Sequence, residues 1–353
     1  MDRLLIESVY RKRFHSIVRF RALVNGEGLR DGKAVSAIII RMILVTGGTG
    51  FIGRSLTRQL VESGHPVRIF LRPSLRSPKL PTGVPVEVAV ASLDDVRGLR
   101  AAMHGVEVVY HLAGGEGEGG RGNLQAVDID GTRNLSEAAA DAGVQRLFYI
   151  SHLGADRASA FPVLKAKGIA EEYVRKSGVP YTILRGSILF GPQDSFTTGL
   201  AMLLAIAPGF LPLPGKAGTL VQPLWVEDLA TCLVWALHES STANQTYEVG
   251  GSEYLSLEQV TTTIMDVIDC HRFLVSWPMP LMRAMTVLTE SVFPRFPTSV
   301  FWLDYMAVNR TCPVDTVPHV FGLMPARFAS RLNYLRGVRW GRETLRVLFT
   351  RYA

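Results

Sequence analysis

The run MILVTGGTGFIG, Met42 to Gly53, decides the fold. A short apolar segment ends in glycines and leads into RSLTRQLVESG (Arg54–Gly64), which has helical periodicity and a glycine just past its end. Gly48, Gly50 and Gly53 fit G-x-G-x-x-G; Gly47, Gly50 and Gly53 fit G-x-x-G-x-x-G. Either spacing permits a tight turn and lets a pyrophosphate approach the main chain. The phosphates then meet the N–H groups and positive dipole end of the helix. Thr49, Phe51 and Ile52 lie inside the same loop, so Gly47 through Gly53 is the candidate dinucleotide-binding segment.

Downstream, the pattern alternates. Strand patterns PVRIFLR, VEVAVA, VEVVYHLAG, RLFYISHLGA and YTILRGSILFG are interleaved with helix patterns LDDVRGLRAAMHG, TRNLSEAAADAG and the segment around Lys167. This alternation predicts an α/β fold, a doubly wound parallel (Rossmann) sheet with its ligand along the strand C-termini. The expected division is a basic, poorly ordered extension over 1–41, a Rossmann domain over 42–191, and a smaller, mostly helical C-terminal lobe over 192–221 and 251–353. Residues 222–250, with a helix capped by Asp228 and the strand QTYEVGG, return to the Rossmann domain. Phe273–Phe293 reads as a core helix, with a greasy pocket or a docking surface as alternatives. The glycine-rich GGEGEGGRG (Gly114–Gly122) is a loop able to fold over a ligand, or a slack connection.

The second strand bears on the cofactor. An NAD site usually has an acid about 20 residues past the first glycines. No acid occurs between Glu62 and Glu87; the strand ends at Arg72, with Arg76 and Lys79 nearby. A guanidinium can hold a 2′-phosphate through paired charge-assisted bonds. NADP(H) is therefore the expected cofactor, with NAD(H) the alternative; Arg76 and Lys79 read as solvated loop charge.

The chain has 353 residues and a net charge of +7. Residues 1–41 carry nine Lys/Arg and four Asp/Glu, and residues 331–353 carry six Arg and one Glu. Two basic ends on a weakly acidic body suit an anionic membrane surface or a membrane-associated protein complex, or are simply solvated. No nucleic-acid partner is expected. Residues 1–41 could form an amphipathic helix, a disordered extension, or an upstream start ahead of Met42. Three scattered cysteines suit a reducing cytosol, with peripheral membrane attachment left open, and no metal-ligand spacing is present. The uncharged run 195–215 is broken by Pro208, Pro212 and Pro214, so it reads as buried or interfacial and not as a membrane span.

These motifs resemble the extended and atypical short-chain dehydrogenase/reductase superfamily. They are TGGTGFIG, HLAG (His111–Gly114), VDIDGTRNL (Val127–Leu135), YISHLGA (Tyr149–Ala155), the run Lys165–Asp194 and QPLWVEDLA (Gln222–Ala230). FGLMP (Phe321–Pro325) resembles a C-terminal motif of the subgroup around the nucleotide-binding accessory subunit of respiratory complex I and its bacterial relatives. The resemblance implies pyrophosphate contacts from Gly47, Gly50 and Gly53 and a 2′-phosphate contact from Arg72. It implies further that Ala113 and Gly114 flank the adenosine and ribose, that Lys167 bonds the nicotinamide ribose, and that the segment after Arg185 borders the nicotinamide. Ser92, before Leu93, stands where relatives carry an Asp that touches adenine.

One departure governs the chemistry. Active relatives place a Tyr four residues before the Lys; here that residue is Val163. The two positions share a helix face, whereas Lys165 points elsewhere. Leu153 likewise replaces a Ser or Thr. Lys167 thus keeps cofactor binding and loses its proton-relay partner. Two classes follow: a nucleotide-binding protein with little or no turnover, in an accessory, assembly or redox-sensing role, and a working NADPH-dependent reductase or isomerase on an apolar, quinone- or isoprenoid-like substrate. In the second, His152, at a strand C-terminus, would supply the acid.

Overall fold

A computed structural model describes residues 42–74, 80, 83–117, 122–215, 218–293 and 296–349. The extension over 1–41 and the loop cations Arg76 and Lys79 lie outside the described residues. Seven strands among those described form one sheet: β1 (Ile43–Thr46), β2 (Val67–Leu71), β3 (Glu87–Val90), β4 (Val108–His111), β5 (Arg146–His152), β6 (Tyr181–Gly186) and β7 (Gln245–Val249). Their order is β7-β6-β5-β4-β1-β2-β3, and every pair is parallel. The chain therefore forms a doubly wound parallel sheet, whose order reverses between β1 and β4. Covered on both faces, β1 and β4 are buried along their whole length, which is why they read as unbroken apolar runs.

The crossover helices are α1 (Phe51–Glu62), α2 (Val96–Ala102), α3 (Gly131–Asp141) and α4 (Pro162–Lys176). α2, α3 and α4 cover one face through Leu99, Leu135, Ala170 and Val174. The other face is covered by α1, α6 (Val226–His238) and α10 (Thr316–Phe321), through Leu56, Leu60, Leu229, Leu233 and Phe321. A separate apolar cluster joins α5 (Thr197–Ile206), α7 (Leu257–Ile268) and α11 (Trp340–Phe349) around Phe190, Leu200, Leu204, Ile264, Phe328 and Trp340. α8 (Met279–Val292) and α9 (Val300–Met306) lie between α7 and α10 in sequence. Part of the mostly helical C-terminal region thus packs on a core of its own, while α10 packs against the sheet. The chain reaches β7 only after passing through α5 and α6.

Three local expectations change. The strand expected over YTILRGSILFG stops at Gly186 and resumes as a separate two-residue strand, Leu189–Phe190. Asp228 does not cap α6; its Oδ2 accepts from the Ala326 amide at 2.7 Å and ties the helix to the C-terminal loop. Phe273–Phe293 is not a core helix. It is a strand, Phe273–Trp277, paired with Phe210–Pro214, followed by α8 beyond Pro278. Leu281, Met285, Leu288 and Val292 of α8 are exposed. No helix among the described residues is long and apolar enough to cross a membrane.

Candidate functional site

The C-terminal ends of β1, β4 and β5 lie in register, Thr46 opposite His111 and His111 opposite Tyr149. Thr46 Oγ1 accepts from the amides of Leu112 and Ala113, so its proton points to His111 Nδ1 at 2.7 Å. His111 Nε2–H is left to donate to Thr132 Oγ1 at 2.9 Å. Burial, then the nearby Lys167 charge, pushes the His111 pKa down to about 3. The neutral ring bolts the glycine loop to the head of α3.

Gly47 adopts φ +69°, and a Cβ there would fall 2.9 Å from Ala113 N and Leu112 O. A Cβ on Gly53 would fall 2.1 Å from Gly47 O, with backbone on the receiving side. The loop is thus a main-chain cradle with no room for side chains. Gly50, the N-cap of α1, bonds back to Gly47 O at 2.9 Å. Gly48 packs on Ile69, and Thr49 O accepts from Arg54. The Phe51 ring lies against Gly191, and Ile52 packs on the core, so what these two offer a ligand is main-chain N–H. The bare amides and shape of this cradle fit a dinucleotide pyrophosphate.

The other candidates sit around it. Arg72 is exposed immediately beyond β2. Ser92 and Leu93 form the bend after β3: Ser92 O accepts from Asp95 N, and Leu93 lies over Gly131 while its carbonyl accepts from Asn134. Ala113 follows β4 with its amide on Thr46, and Gly114 faces the lysine.

Lys167 projects from α4 and is 4 % exposed. Its Nζ stands 3.0 Å from Asp128 Oδ1 and 3.5 Å from Glu116 Oε2. Asp128 Oδ2 accepts from the Gly115 amide at 2.8 Å, and Glu116 Oε1 is 3.1 Å from His152 Nε2. Burial opposes ionisation of Lys167, but Glu116, Tyr149 and Asp128 outweigh it and hold the ammonium well above its usual range. Burial likewise opposes the Glu116 charge, yet Lys167 and then His152 keep that carboxyl well below the usual carboxylate range. The Tyr149 ring lies 5.6 Å from Nζ, and burial pushes its phenol up. Val163 is one turn before Lys167 on α4, and Lys165 is exposed. Arg185, paired in two-pronged fashion with the buried Glu171, fixes α4 against β6.

The structure thus brings Lys167, His152 and Gly114 together, while Arg72 follows β2 at the same C-terminal edge of the sheet. It adds Asp128 and Glu116, to which no role was given from sequence. Asp128 lies within VDIDGTRNL, in a widened π-helical stretch, Gln125–Asp130, that runs into α3. Glu116 lies within the glycine-rich loop. The assembled group can bind hydroxyl partners, and Glu116 can orient the His152 ring.

Residues 47–202 match a family model described as NAD(P)H-binding. The chain is 29% identical over 336 residues to NADH dehydrogenase [ubiquinone] 1 alpha subcomplex subunit 9, mitochondrial, of Arabidopsis thaliana, covering 88% of this chain and 81% of that one. It is 34% identical over 195 residues to the ceramide reductase of Caulobacter vibrioides, covering 55% of this chain and 60% of that one. In fold it matches the Thermus thermophilus UDP-glucose 4-epimerase solved with NAD, at a TM-score of 0.62 and 20% identity over 83% of this chain and 97% of that one. Residues 47–202 thus carry an NAD(P)H-binding domain on a Rossmann fold, and the chain is similar to proteins of the short-chain dehydrogenase/reductase kind. Its relatives include the complex I accessory subunits expected from the motifs.

Proposed function

We propose that the chain holds NADP(H) along the sheet edge and works as an accessory or assembly subunit with little or no turnover. The observation that carries this reading is Val163, one turn before a lysine already engaged by two carboxylates. A hydride added to a carbonyl leaves an alkoxide that needs a proton, and valine has none to give. The likeness to the Arabidopsis complex I subunit runs over most of this chain, whereas the likeness to the reductase covers little more than half.

In this reading Gly47 through Gly53 take the pyrophosphate, Arg72 the 2′-phosphate, and Lys167 the nicotinamide ribose hydroxyls. Ser92, Leu93, Ala113 and Gly114 line the adenosine side. When bound, the nicotinamide supplies or accepts a hydride. Asp128 holds Lys167 in place, and Glu116 is the carboxylate that a ribose hydroxyl would displace from it. A membrane-associated complex is the proposed setting, with the exposed face of α8 and the C-terminal arginines as contact surface.

A second reading is favoured by the His152–Glu116 contact: an NADPH-dependent reductase or isomerase in which His152 gives the proton and Glu116 holds the imidazole. Nucleotide analysis of the protein as isolated, calorimetry with NADPH and NADH, and a substrate screen test both. An NADPH-consuming activity that His152→Ala abolishes while binding persists would replace the first reading with the second. Absence of heat with every coenzyme form would reject both.

A further inference from the structure

The crevice contains a cation that the nucleotide site leaves unused. Arg310, beyond α9, is only 6% exposed. Nη1 donates to Leu153 O at 3.3 Å and Nε to Tyr305 O at 3.4 Å. The guanidinium carbon lies 5.2 Å from the Tyr305 ring and 5.8 Å from the Phe161 ring. Nη2 is buried and bonds to nothing among the described residues, and no carboxylate among them pairs with this arginine. Two long bonds to neutral carbonyls do not compensate a guanidinium taken out of water, and a buried charge without a counter-charge is strongly unfavourable.

Its position points toward a ligand. Leu153 and Gly154 follow His152 at the C-terminal end of β5. Gly154 has φ +77°, and a Cβ there would lie 2.4 Å from Arg310 Nη1, so the guanidinium fills the space above this turn. The Tyr305 ring meets the His152 ring edge-on, with centroids 5.7 Å apart. Tyr305 Oη is itself buried and unbonded among the described residues. A guanidinium N–H and a phenol O–H therefore stand unmet on the lobe side of the crevice, flanked by the apolar Phe161. An oxyanion is the chemistry that satisfies both, since each donates and a carboxylate or phosphate oxygen accepts several bonds.

We propose that Arg310 and Tyr305 form an oxyanion subsite that takes the carboxylate or phosphate of a second ligand. That this ligand lies beside the nicotinamide rests on the reading above; the subsite itself does not. The test uses the full chain saturated with NADP+, so that the glycine loop and Arg72 are occupied. Sodium acetate or inorganic phosphate is titrated against chloride at constant ionic strength, and the thermal midpoint and tryptophan fluorescence are followed. At least one of the two anions raises the midpoint by several degrees. Arg310→Met weakens that response tenfold or more, and Tyr305→Phe weakens it severalfold. Without anions, Arg310→Met melts no lower than the native chain, because it removes an uncompensated charge. If Arg310→Met does not fold, Arg310→Lys and Tyr305→Phe carry the comparison. An anion response absent from the native chain, or unchanged in all the variants, overturns the subsite. Failure of NADP+ itself to shift the midpoint rejects the nucleotide reading instead. The anion titration is then run on the nucleotide-free Arg72→Ala chain, with the same outcomes deciding it.

Discussion

Lys167 Nζ and Asp128 Oδ1 stand 3.0 Å apart with both side chains out of solvent, one from α4 and the other from the widened turn before α3. Losing the lysine leaves Asp128 as an uncompensated buried charge, whereas losing the aspartate still leaves Lys167 with Glu116. Lys167→Met should cost about 3–5 kcal/mol in urea unfolding. Asp128→Asn, which keeps the acceptor for Gly115 N, should cost less. Equal, sub-kcal effects would mean that the pair is not buried in solution.

Acid should destabilise the fold earlier than carboxylates alone would cause. The His111 pKa is pushed down to about 3 in the folded chain, against roughly 6.5 when unfolded. Below that unfolded value, the unfolded state takes up a proton that the folded state refuses. Stability is therefore complete above it and falls as pH drops toward 3. Glu116, depressed by Lys167, adds a loss of the same sign below roughly 4.3. The thermal midpoint should fall from pH 6.5 to 4.5 and do so less steeply in His111→Gln; an identical slope in both proteins contradicts this account.

NADPH should bind at least tenfold more tightly than NADH, the order expected of one or two charge-assisted hydrogen bonds. Arg72→Asp should remove or reverse the preference by adding repulsion. Equal affinities unaffected by the substitution would discard the assignment of Arg72.

Gly114→Ala places a methyl 3.1 Å from Lys167 Nζ and 3.2 Å from Asp128 Oδ1. The expected result is a loss of about 1–3 kcal/mol together with weaker NADPH binding. Gly53→Ala, which meets backbone, should do worse on both counts. Calorimetry beside thermal melts separates the two effects.

The exposed face of α8, with Leu288 at 65% and Val292 at 60% exposure, lies near Phe349 of α11, whose ring is 6.5 Å from Phe293. Arg339, Arg342 and Arg346 lie on or beside α11. Vesicles containing phosphatidylserine should retain the protein at low salt and release it at high salt. Leu288→Glu with Val292→Glu should lower retention tenfold or more, and no retention of the native chain refutes the surface.

The strands, the glycine loop and the position of Lys167 were readable because each rests on local pattern: apolar runs, a turn with close approach, and a four-residue helical spacing. The partners of Lys167 were not. Glu116 comes from a loop of glycines and Asp128 from a helix entrance, and nothing local shows that both converge on α4. Arg310 meets Leu153 from 157 positions away, again beyond any local rule. The apolar stretch Phe273–Phe293 misled because hydrophobicity marks burial only when a partner surface exists. Pro278 turns the chain, and α8 then runs along the outside.

The last strand of the sheet arrives late in the chain, and that limits how the molecule can be divided. A fragment ending at residue 202, where the NAD(P)H-binding match stops, would lack β7 and leave the β6 edge as a row of open amides and carbonyls. It would also lose α6, baring the sheet face that Leu229 and Leu233 cover. Such a fragment should aggregate by edge-to-edge pairing. The smallest piece able to stand alone is therefore longer than the piece that carries the motif.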